Sequence, residues 1–232
     1  MKQYLYKPSN PILKNFPSTL KTRRLEIRPV RPGDGICLYS LLSENFDFLS
    51  KWVTWLNKSF SQDECEVLCR QYYADFILRQ GLHFLVFTKD TSTAIGSISL
   101  SEIDWSIPKG SVGYWGALNH SGNGYITEAA GAISRFAFDC LNIKRLTILC
   151  DNRNRKSWKI AERLGFSLEL QAKGLIDSVE SADLCLTRQY VRWNADGLEH
   201  FETIGSDFFN DKHPLSSKNC HTLVDGYNRA TA

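Results

Sequence analysis

The chain has 232 residues, 43% of them hydrophobic, which is enough to bury the core of one domain or of two small ones. Its formal net charge of +3 is too weak to predict a nucleic-acid or membrane partner, but it suits an enzyme with one local basic site for an anionic ligand. No stretch approaches the ~20 apolar residues of a membrane span, and the N-terminus lacks the apolar run of a signal peptide, so we expect neither.

The seven cysteines are odd in number and irregularly spaced. Several lie in apolar segments, where a thiol behaves as a small hydrophobic side chain. Cys65 and Cys69 are four residues apart on a predicted helix, but no second pair of Cys or His accompanies them. We therefore expect reduced thiols, no bound metal and a cytoplasmic location.

The first third of the chain predicts an arm, a strand and three helical segments. Residues 1–18 contain three prolines and predict an arm lying on the surface. The alternation in residues 20–30 predicts an edge or half-exposed strand, and the glycine-containing turn that follows predicts a helix over 36–42. The aromatic-rich residues 45–58 predict a helix and a turn. Ser61 to Glu64 then open a helix that runs to about Arg79.

The middle of the chain predicts an antiparallel meander. Three strand-like runs, at 83–88, 94–103 and 111–117, are separated by short polar turns. After them the pattern changes to alternating helices and strands. The predicted elements there are a helix over 126–141, a strand over 145–150, a helix over 154–164 and strands over 166–173 and 182–192.

This order of elements predicts an α/β fold. We expect a mixed, mostly antiparallel central sheet of about seven strands with helices on both faces. Residues 194–232 are polar and lose periodicity, which indicates a C-terminal tail. Three of the five histidines lie in this tail, but their spacing does not resemble a metal site.

A glycine-containing loop joins the third meander strand to the long helix. The strand ends in residues 113–117, and Gly122 and Gly124 precede the helix. The first N–H groups of a helix lack internal partners, and glycines allow a phosphate to approach the backbone closely. The loop therefore predicts a pyrophosphate cradle, with an ordinary turn as the alternative. It fits neither a Rossmann fingerprint nor a P-loop.

A second block begins the helix at 154–164. Asn154 and Ser157 form an N-x-x-S pattern at its start. Helix capping alone would explain the pattern if the block stood by itself.

The two blocks together, at this separation and in this order of elements, resemble the GNAT acetyltransferase superfamily. More narrowly, the chain resembles the RimJ/RimL branch, which is known for acetylating the N-termini of ribosomal proteins. The segments that carry the resemblance are residues 22–29, 95–98, 112–115, 122–129, 154–157 and 165–166. The resemblance covers a domain at about residues 19–193 and leaves the N-terminal arm, 1–18, and the tail, 194–232, outside it.

The resemblance implies acetyl-CoA as the acetyl donor, no metal, and a set of site residues. Trp115, Gly116 and Ala117 hold the pantetheine arm and donate an N–H to the thioester oxygen. Asn154 contacts the cofactor arm, and Ser157 protonates the departing thiolate. The phosphate loop comprises Ser121, Gly122, Asn123, Gly124, Tyr125, Ile126 and Thr127.

The loop departs from the family pattern, Gln/Arg-x-x-Gly-x-Gly/Ala, at two positions. Ser121 lacks the long side chain that lies over the pyrophosphate, and Ile126 adds bulk near the cofactor. Most contacts to a pyrophosphate there are expected from backbone amides.

Further candidates concern the proton, the acceptor and the phosphates. A carboxylate would help an amine to lose its proton. Glu102 is the leading candidate, and Asp104 and Asp177 are the others; a solvated charge at a strand end is the alternative for each. The aromatic residues 46–56 are expected to form the acceptor wall, with Trp52 nearest the acceptor. The basic residues of the second block either meet the 3′-phosphate or form a solvated helix face; they are Arg153, Arg155, Lys156 and Lys159.

The sequence thus predicts an acetyl-CoA-dependent N-acetyltransferase that acts on a primary amine, with a protein or peptide N-terminal α-amine as the leading acceptor. Two alternatives stay open: a small amine such as a polyamine or amino sugar, and a non-catalytic CoA-binding module. We expect a monomer or homodimer that binds neither nucleic acid directly nor a membrane.

Overall fold

The computed structural model describes residues 10–56, 60–176 and 185–204. These residues form nine strands and five helices besides two short 3-10 turns. The strands are β1 (Thr19–Lys21), β2 (Leu25–Pro29), β3 (Leu82–Thr88), β4 (Ala94–Asp104), β5 (Lys109–Gly116), β6 (Arg145–Asp151), β7 (Ser167–Lys173), β8 (Leu186–Arg192) and β9 (Glu202–Ile204). The helices are α1 (Gly35–Glu44), α2 (Phe46–Leu49), α3 (Gln62–Leu78), α4 (Tyr125–Asp139) and α5 (Arg155–Arg163).

The strands form one sheet in the order β7-β8-β6-β5-β4-β3-β2-β1-β9. Neighbouring strands are antiparallel except β5 and β6, which are parallel because α4 crosses between them. The mixed, mostly antiparallel α/β architecture is confirmed, with nine strands instead of about seven.

The two additional strands come from the ends of the domain. Residues 20–30 were predicted as one strand, but a turn divides them into β1 and β2, where the N–H of Leu25 donates to Thr22 Oγ1 at 3.0 Å. β2 lies inside the sheet between β1 and β3, so the edge position was wrong. β9 arises from the segment predicted as a tail and pairs with β1.

Helices cover both faces of the sheet, as expected. Successive side chains of a strand point to opposite faces. Phe84 of β3 and Ile98 of β4 lie on the face that packs against Phe136 of α4. On the opposite face, Leu85 packs with Cys69 of α3 and with residues of α1.

Local signals place the ends of the helices as the sequence predicts. Ser61 and Glu64 form a complete capping box at the start of α3, which satisfies two N–H groups that a helix start leaves unpaired. Arg79 ends the helix with a φ of 62°. Gly165 follows α5 with a φ of 71°, the left-handed conformation that glycine adopts at little cost.

The segment before β1 differs from the predicted surface arm. Phe16 is 3% exposed, and its ring meets Phe76 and Phe136 edge-on, at centroid distances of 5.8 and 5.6 Å. Arg79 donates to the carbonyl of Lys14 at 2.9 Å. Prolines and missing periodicity indicated an arm, but a single large aromatic ring is enough to fix such a segment in the core.

Candidate active site

A cleft of about 1230 Å³ opens where β5 and β6 separate. The two strands pair only from Lys109 to Ser111. Beyond Ser111, β5 stays paired with β4 as far as Gly116, while β6 stays paired with β8 as far as Asp151. The strands therefore diverge, and both line the cleft.

The divergence leaves backbone N–H groups of β5 facing the gap. The N–H of Ala117 donates to the carbonyl of Ile95 in β4 at 2.8 Å. Neighbouring N–H groups along a strand point in alternate directions. The N–H groups of Gly116 and Tyr114 therefore point away from β4 and toward β6, and of the three residues predicted to hold the cofactor arm, Gly116 has its N–H in the gap.

The predicted phosphate loop lies at one side of this cleft and leads into α4. Gly122 and Gly124 have φ values of 88° and 78°, in the left-handed region that favours glycine. Gly124 is the N-cap of α4 and offers no side-chain cap. The first N–H groups of α4, beginning with Tyr125, are thus available to an external anion, which the helix dipole also favours.

The turn between β1 and β2 holds this loop in place. Glu128 of α4 accepts hydrogen bonds from Thr22 Oγ1 at 2.6 Å, from the Arg24 N–H at 2.9 Å and from Arg24 Nε at 2.6 Å. Arg24 Nη1 also donates to the carbonyl of Asn123 at 2.9 Å, and the guanidinium lies 4.5 Å from the ring centroid of Tyr125. Sequence reasoning missed this cluster, because 104 residues separate Arg24 from Glu128.

Burial and hydrogen bonding act in opposite directions on Glu128. Burial raises the pKa of its carboxyl group, but the hydrogen bonds from Thr22 and Arg24 outweigh burial, so the net pKa is lowered. The carboxylate therefore stays ionised, and it neutralises Arg24 instead of serving as a base.

Ile126, one of the two departures from the family pattern, packs on glycines. A Cβ added at Gly116 would lie 2.7 Å from Ile126 Cγ1, and one added at Gly96 would lie 3.0 Å from Ile126 Cδ1. The bulk of Ile126 therefore fills space that two facing glycines leave open on the α4 face of the sheet.

The second block borders the opposite side of the cleft. Asn154 caps α5, since its Oδ1 accepts from the Ser157 N–H at 3.1 Å. The Ser157 carbonyl accepts from the Tyr114 hydroxyl at 2.9 Å, which ties the first turn of α5 to β5. Asn154 and Ser157 both line the cleft, so the pattern caps the helix and also faces the cavity.

Cys150 lies beside Ser157 and was not predicted as a site residue. It is 5% exposed and lines the cleft. Burial raises the pKa of its thiol to about 11, although a hydrogen bond with Ser157 acts in the opposite direction. The thiol is therefore protonated at neutral pH.

The predicted acceptor wall contributes several side chains to the cleft. Trp52 lines it together with Phe48, Leu49 and Val53. Asn45, which sequence reasoning missed, joins this wall to the loop, because its Oδ1 accepts from the Leu118 N–H at 2.7 Å.

The structure does not bring Glu102 to the cleft, so its predicted role as the base is corrected. Glu102 is exposed and lies seven residues along β4 from Ile95, the cleft-lining residue of that strand, or roughly 23 Å at the rise of a strand. The sequence analysis placed Glu102 beside the cofactor strand, but β4 and β5 run antiparallel. The end of β4 therefore meets the start of β5, at the opposite edge of the sheet from Gly116.

The other two candidate bases do not replace it. Asp104 lies at the same edge as Glu102, where its carboxylate accepts from the N–H groups of Ser106 and Ile107 at 2.9 and 3.1 Å. Asp177 lies outside the described residues.

The basic residues of the second block divide into two groups. Arg153 is bound by Asp151, with Nη2 to Oδ2 at 2.7 Å, and hydrogen bonding from Arg153 lowers the pKa of Asp151. Arg155, Lys156 and Lys159 line the cleft.

Within residues 10–56, 60–176 and 185–204, no group of three or more His, Cys, Asp and Glu side chains is placed to hold a metal ion. In the same ranges, no helix has the length and apolar character needed to cross a membrane.

The sequence and fold match known proteins. An acetyltransferase (GNAT) domain model matches residues 24–167. YdaF of Bacillus subtilis, which is named as a candidate ribosomal N-acetyltransferase, is 30% identical over 154 residues that span 64% of this chain and 81% of that protein. The ribosomal-protein-serine acetyltransferase of Escherichia coli is 29% identical over 166 residues, 69% of this chain and 90% of that protein.

A solved structure has the same fold. RimL, a ribosomal α-N-protein acetyltransferase in complex with coenzyme A, superposes with a TM-score of 0.69 over 75% of this chain and 96% of that one. The two sequences are 21% identical, so this likeness concerns the architecture.

Proposed function

The chain belongs to the GNAT acetyltransferase family, and from this premise we propose that it is an acetyl-CoA-dependent N-acetyltransferase whose acceptor is a protein N-terminal α-amine. One observation carries the proposal. The gap between β5 and β6, with the Gly116 N–H turned into it, shares a single cleft with the uncapped start of α4.

The described residues fit acetyl-CoA. A pyrophosphate suits the start of α4, where unpaired N–H groups and the helix dipole attract anions. An extended amide-containing arm suits the exposed backbone edges of β5 and β6. When bound, acetyl-CoA supplies an acetyl group that is activated as a thioester.

Two groups of the chain are assigned to the chemistry. The Gly116 N–H stabilises negative charge that develops on the carbonyl oxygen, and one such preorganised donor is worth roughly 3–4 kcal/mol in activation free energy. The Ser157 hydroxyl donates a proton to the departing thiolate. Both groups line the cleft, and neither changes its charge before reaction, which suits the absence of a predicted metal.

The state of the cleft carboxylates supports an α-amine as the acceptor. Glu128 and Asp151 line the cleft, but both are bound by arginines, and a carboxylate with a lowered pKa is a weak base. An α-amine, with a pKa near 8, loses its proton far more readily than a lysine-type amine, with a pKa near 10. The E. coli and RimL relatives are named as ribosomal-protein acetyltransferases, which supports a ribosomal-protein N-terminus.

Calorimetric titration of acetyl-CoA into the purified protein tests the cofactor assignment. We expect micromolar-range binding that Gly124→Trp abolishes, because a side chain at this φ of 78° strains the loop and obstructs the anion site. Gly33→Trp is the matched control: Gly33 also has a positive φ, of 95°, and its Cβ would meet no atom within 4 Å. Absence of binding by a folded wild-type protein would refute the proposal.

A panel of acceptors tests the amine. Transfer to peptide N-termini is expected, with a rate that rises toward a plateau near pH 8 as the α-amine loses its proton. Peptides with a blocked N-terminus should be inert. Faster transfer to a polyamine or amino sugar would favour that alternative, and acetyl-CoA binding without transfer to any amine would favour a non-catalytic module.

A further inference from the structure

Lys156 reaches across the cleft from α5 to the phosphate loop. It is the second residue of α5, and its side chain is directed away from that helix. Its Nζ lies 3.5 Å from Ser121 Oγ and 5.4 Å from the ring centroid of Phe48 in α2. The ammonium group thus sits between three separate elements, at the junction of the phosphate loop and the acceptor wall.

This ammonium has no carboxylate partner among the ion pairs of the described residues. Two nearby arginines differ in this respect, because Glu128 neutralises Arg24 and Asp151 neutralises Arg153. A hydroxyl and an aromatic ring hold the cation in place without cancelling its charge. Lys156 is therefore available to an anion that enters the cleft.

The position of Lys156 is unfavourable for α5 itself. The start of a helix carries positive partial charge, so a cation there is destabilising. The first turn of α5 contains no acidic residue, and its first two residues are Arg155 and Lys156. Helix stability therefore gives no reason for a lysine here, whereas an anionic ligand in the cleft does.

Ser121 is too short to provide this contact from the loop. It replaces the Gln or Arg of the family pattern, and its hydroxyl is the loop atom that Lys156 meets. We propose that Lys156 binds the pyrophosphate of coenzyme A from the α5 side and so takes the place of the long side chain missing at Ser121. This inference rests on the proposed function, and it adds a specific phosphate-binding residue to it.

Calorimetric titration with coenzyme A, which carries no acetyl group to transfer, tests the inference. Lys156→Ala should raise the Kd about tenfold to a hundredfold, the range for loss of a hydrogen bond to a charged group, and the increase should shrink at high salt. Lys144→Ala is the matched control, because Lys144 is exposed and precedes β6 at the end away from the cleft. The melting temperature of Lys156→Ala should stay unchanged or rise, whereas a purely structural role would lower it.

Two shortened ligands identify the phosphate that Lys156 binds. Dephospho-coenzyme A, which lacks the 3′-phosphate, should show the same increase in Kd for Lys156→Ala. Pantetheine, which lacks all phosphates, should bind the wild type and the variant equally. An increase that disappears with dephospho-coenzyme A would place Lys156 at the 3′-phosphate and overturn the proposal.

A compensating substitution tests the relation between the two positions. Adding Ser121→Arg to Lys156→Ala should restore most of the affinity, because the cation then comes from the loop. Failure to restore it would overturn the claim that both positions serve one phosphate group. If the wild type and Lys156→Ala bind coenzyme A equally well, this inference fails while the proposed function stands. If the wild type does not bind, the proposed function itself fails.

Discussion

At the scale of single residues, Ser157 is held by its backbone and leaves its hydroxyl for chemistry. Its N–H and carbonyl are engaged by Asn154 and Tyr114, so these contacts do not depend on the side chain. Cys150, the neighbour that shares a hydrogen bond with the hydroxyl, is a protonated thiol at neutral pH. The position therefore allows the loss of one oxygen to be read as a change in rate.

We expect Ser157→Ala to lower kcat by roughly a hundredfold or more, as removal of a general acid does. The Kd for acetyl-CoA should change little, since the cap of α5 remains. Single-turnover transfer to a peptide, together with calorimetry, measures the two effects separately. An unchanged kcat would mean that another group, or water, protonates the thiolate.

Glu102→Gln is the control for this experiment and checks the correction made above. Glu102 is exposed at the opposite edge of the sheet, so its substitution should leave both kcat and the pH profile unchanged. A large fall in kcat would show that this edge of the sheet takes part in transfer after all.

At the scale of elements, the clamp between the β1–β2 turn and α4 links stability to pH. The pKa of Glu128 is lower in the folded protein than in the unfolded chain, whose value is about 4.3. The stabilisation is therefore fully present above the unfolded pKa and is lost as the pH falls toward the folded pKa.

Glu128→Gln should lower the free energy of unfolding at neutral pH by about 1–3 kcal/mol, because hydrogen bonds to a buried charge are lost. The difference from wild type should shrink below roughly pH 4, where the wild-type carboxylate also takes up a proton. Urea unfolding at several pH values measures both effects. Glu26→Gln is the control, since Glu26 forms an exposed ion pair with Lys21 at 3.3 Å and should matter little. Equal effects of the two substitutions would contradict the clamp.

The contact between β5 and α4 makes a second prediction at this scale. Gly116→Ala should cost about 1–3 kcal/mol, because the new Cβ meets Ile126 Cγ1 at 2.7 Å. Adding Ile126→Ala should recover much of this loss by removing the clash. Thermal unfolding of the two single variants and the double variant forms a complete cycle. Strictly additive effects would show that Ile126 is not what excludes a side chain at Gly116.

At the scale of the whole molecule, one side chain anchors the segment before β1. We expect Phe16→Ala to lower the free energy of unfolding by about 3–5 kcal/mol, the cost of removing a buried aromatic ring. Leu13→Ala, in the same segment but at a residue that is 72% exposed, should stay within about 0.5 kcal/mol of wild type. Urea unfolding compares the two, and similar effects would refute the anchoring role of Phe16.

Much of the fold could be predicted because its signals are local. The capping box of Ser61 and Glu64, the glycine that ends α5 and the alternation within the meander each depend on a few neighbouring residues. The parts that could not be predicted are short or distant in the chain. β9 is three residues long, too short for periodicity to reveal, and the burial of Phe16 depends on rings contributed by α3 and α4.

By itself, the sequence determined the order of the elements, the glycine loop before α4 and the Asn154–Ser157 pattern, since each is written in adjacent residues. Only the tertiary structure decided that the Gly116 N–H faces the gap, that Lys156 reaches Ser121 and that Glu102 lies away from the cleft. These facts depend on which strands are neighbours and in which direction they run. That information comes from packing between residues far apart in the chain, because an antiparallel neighbour reverses the edge of the sheet at which a strand ends.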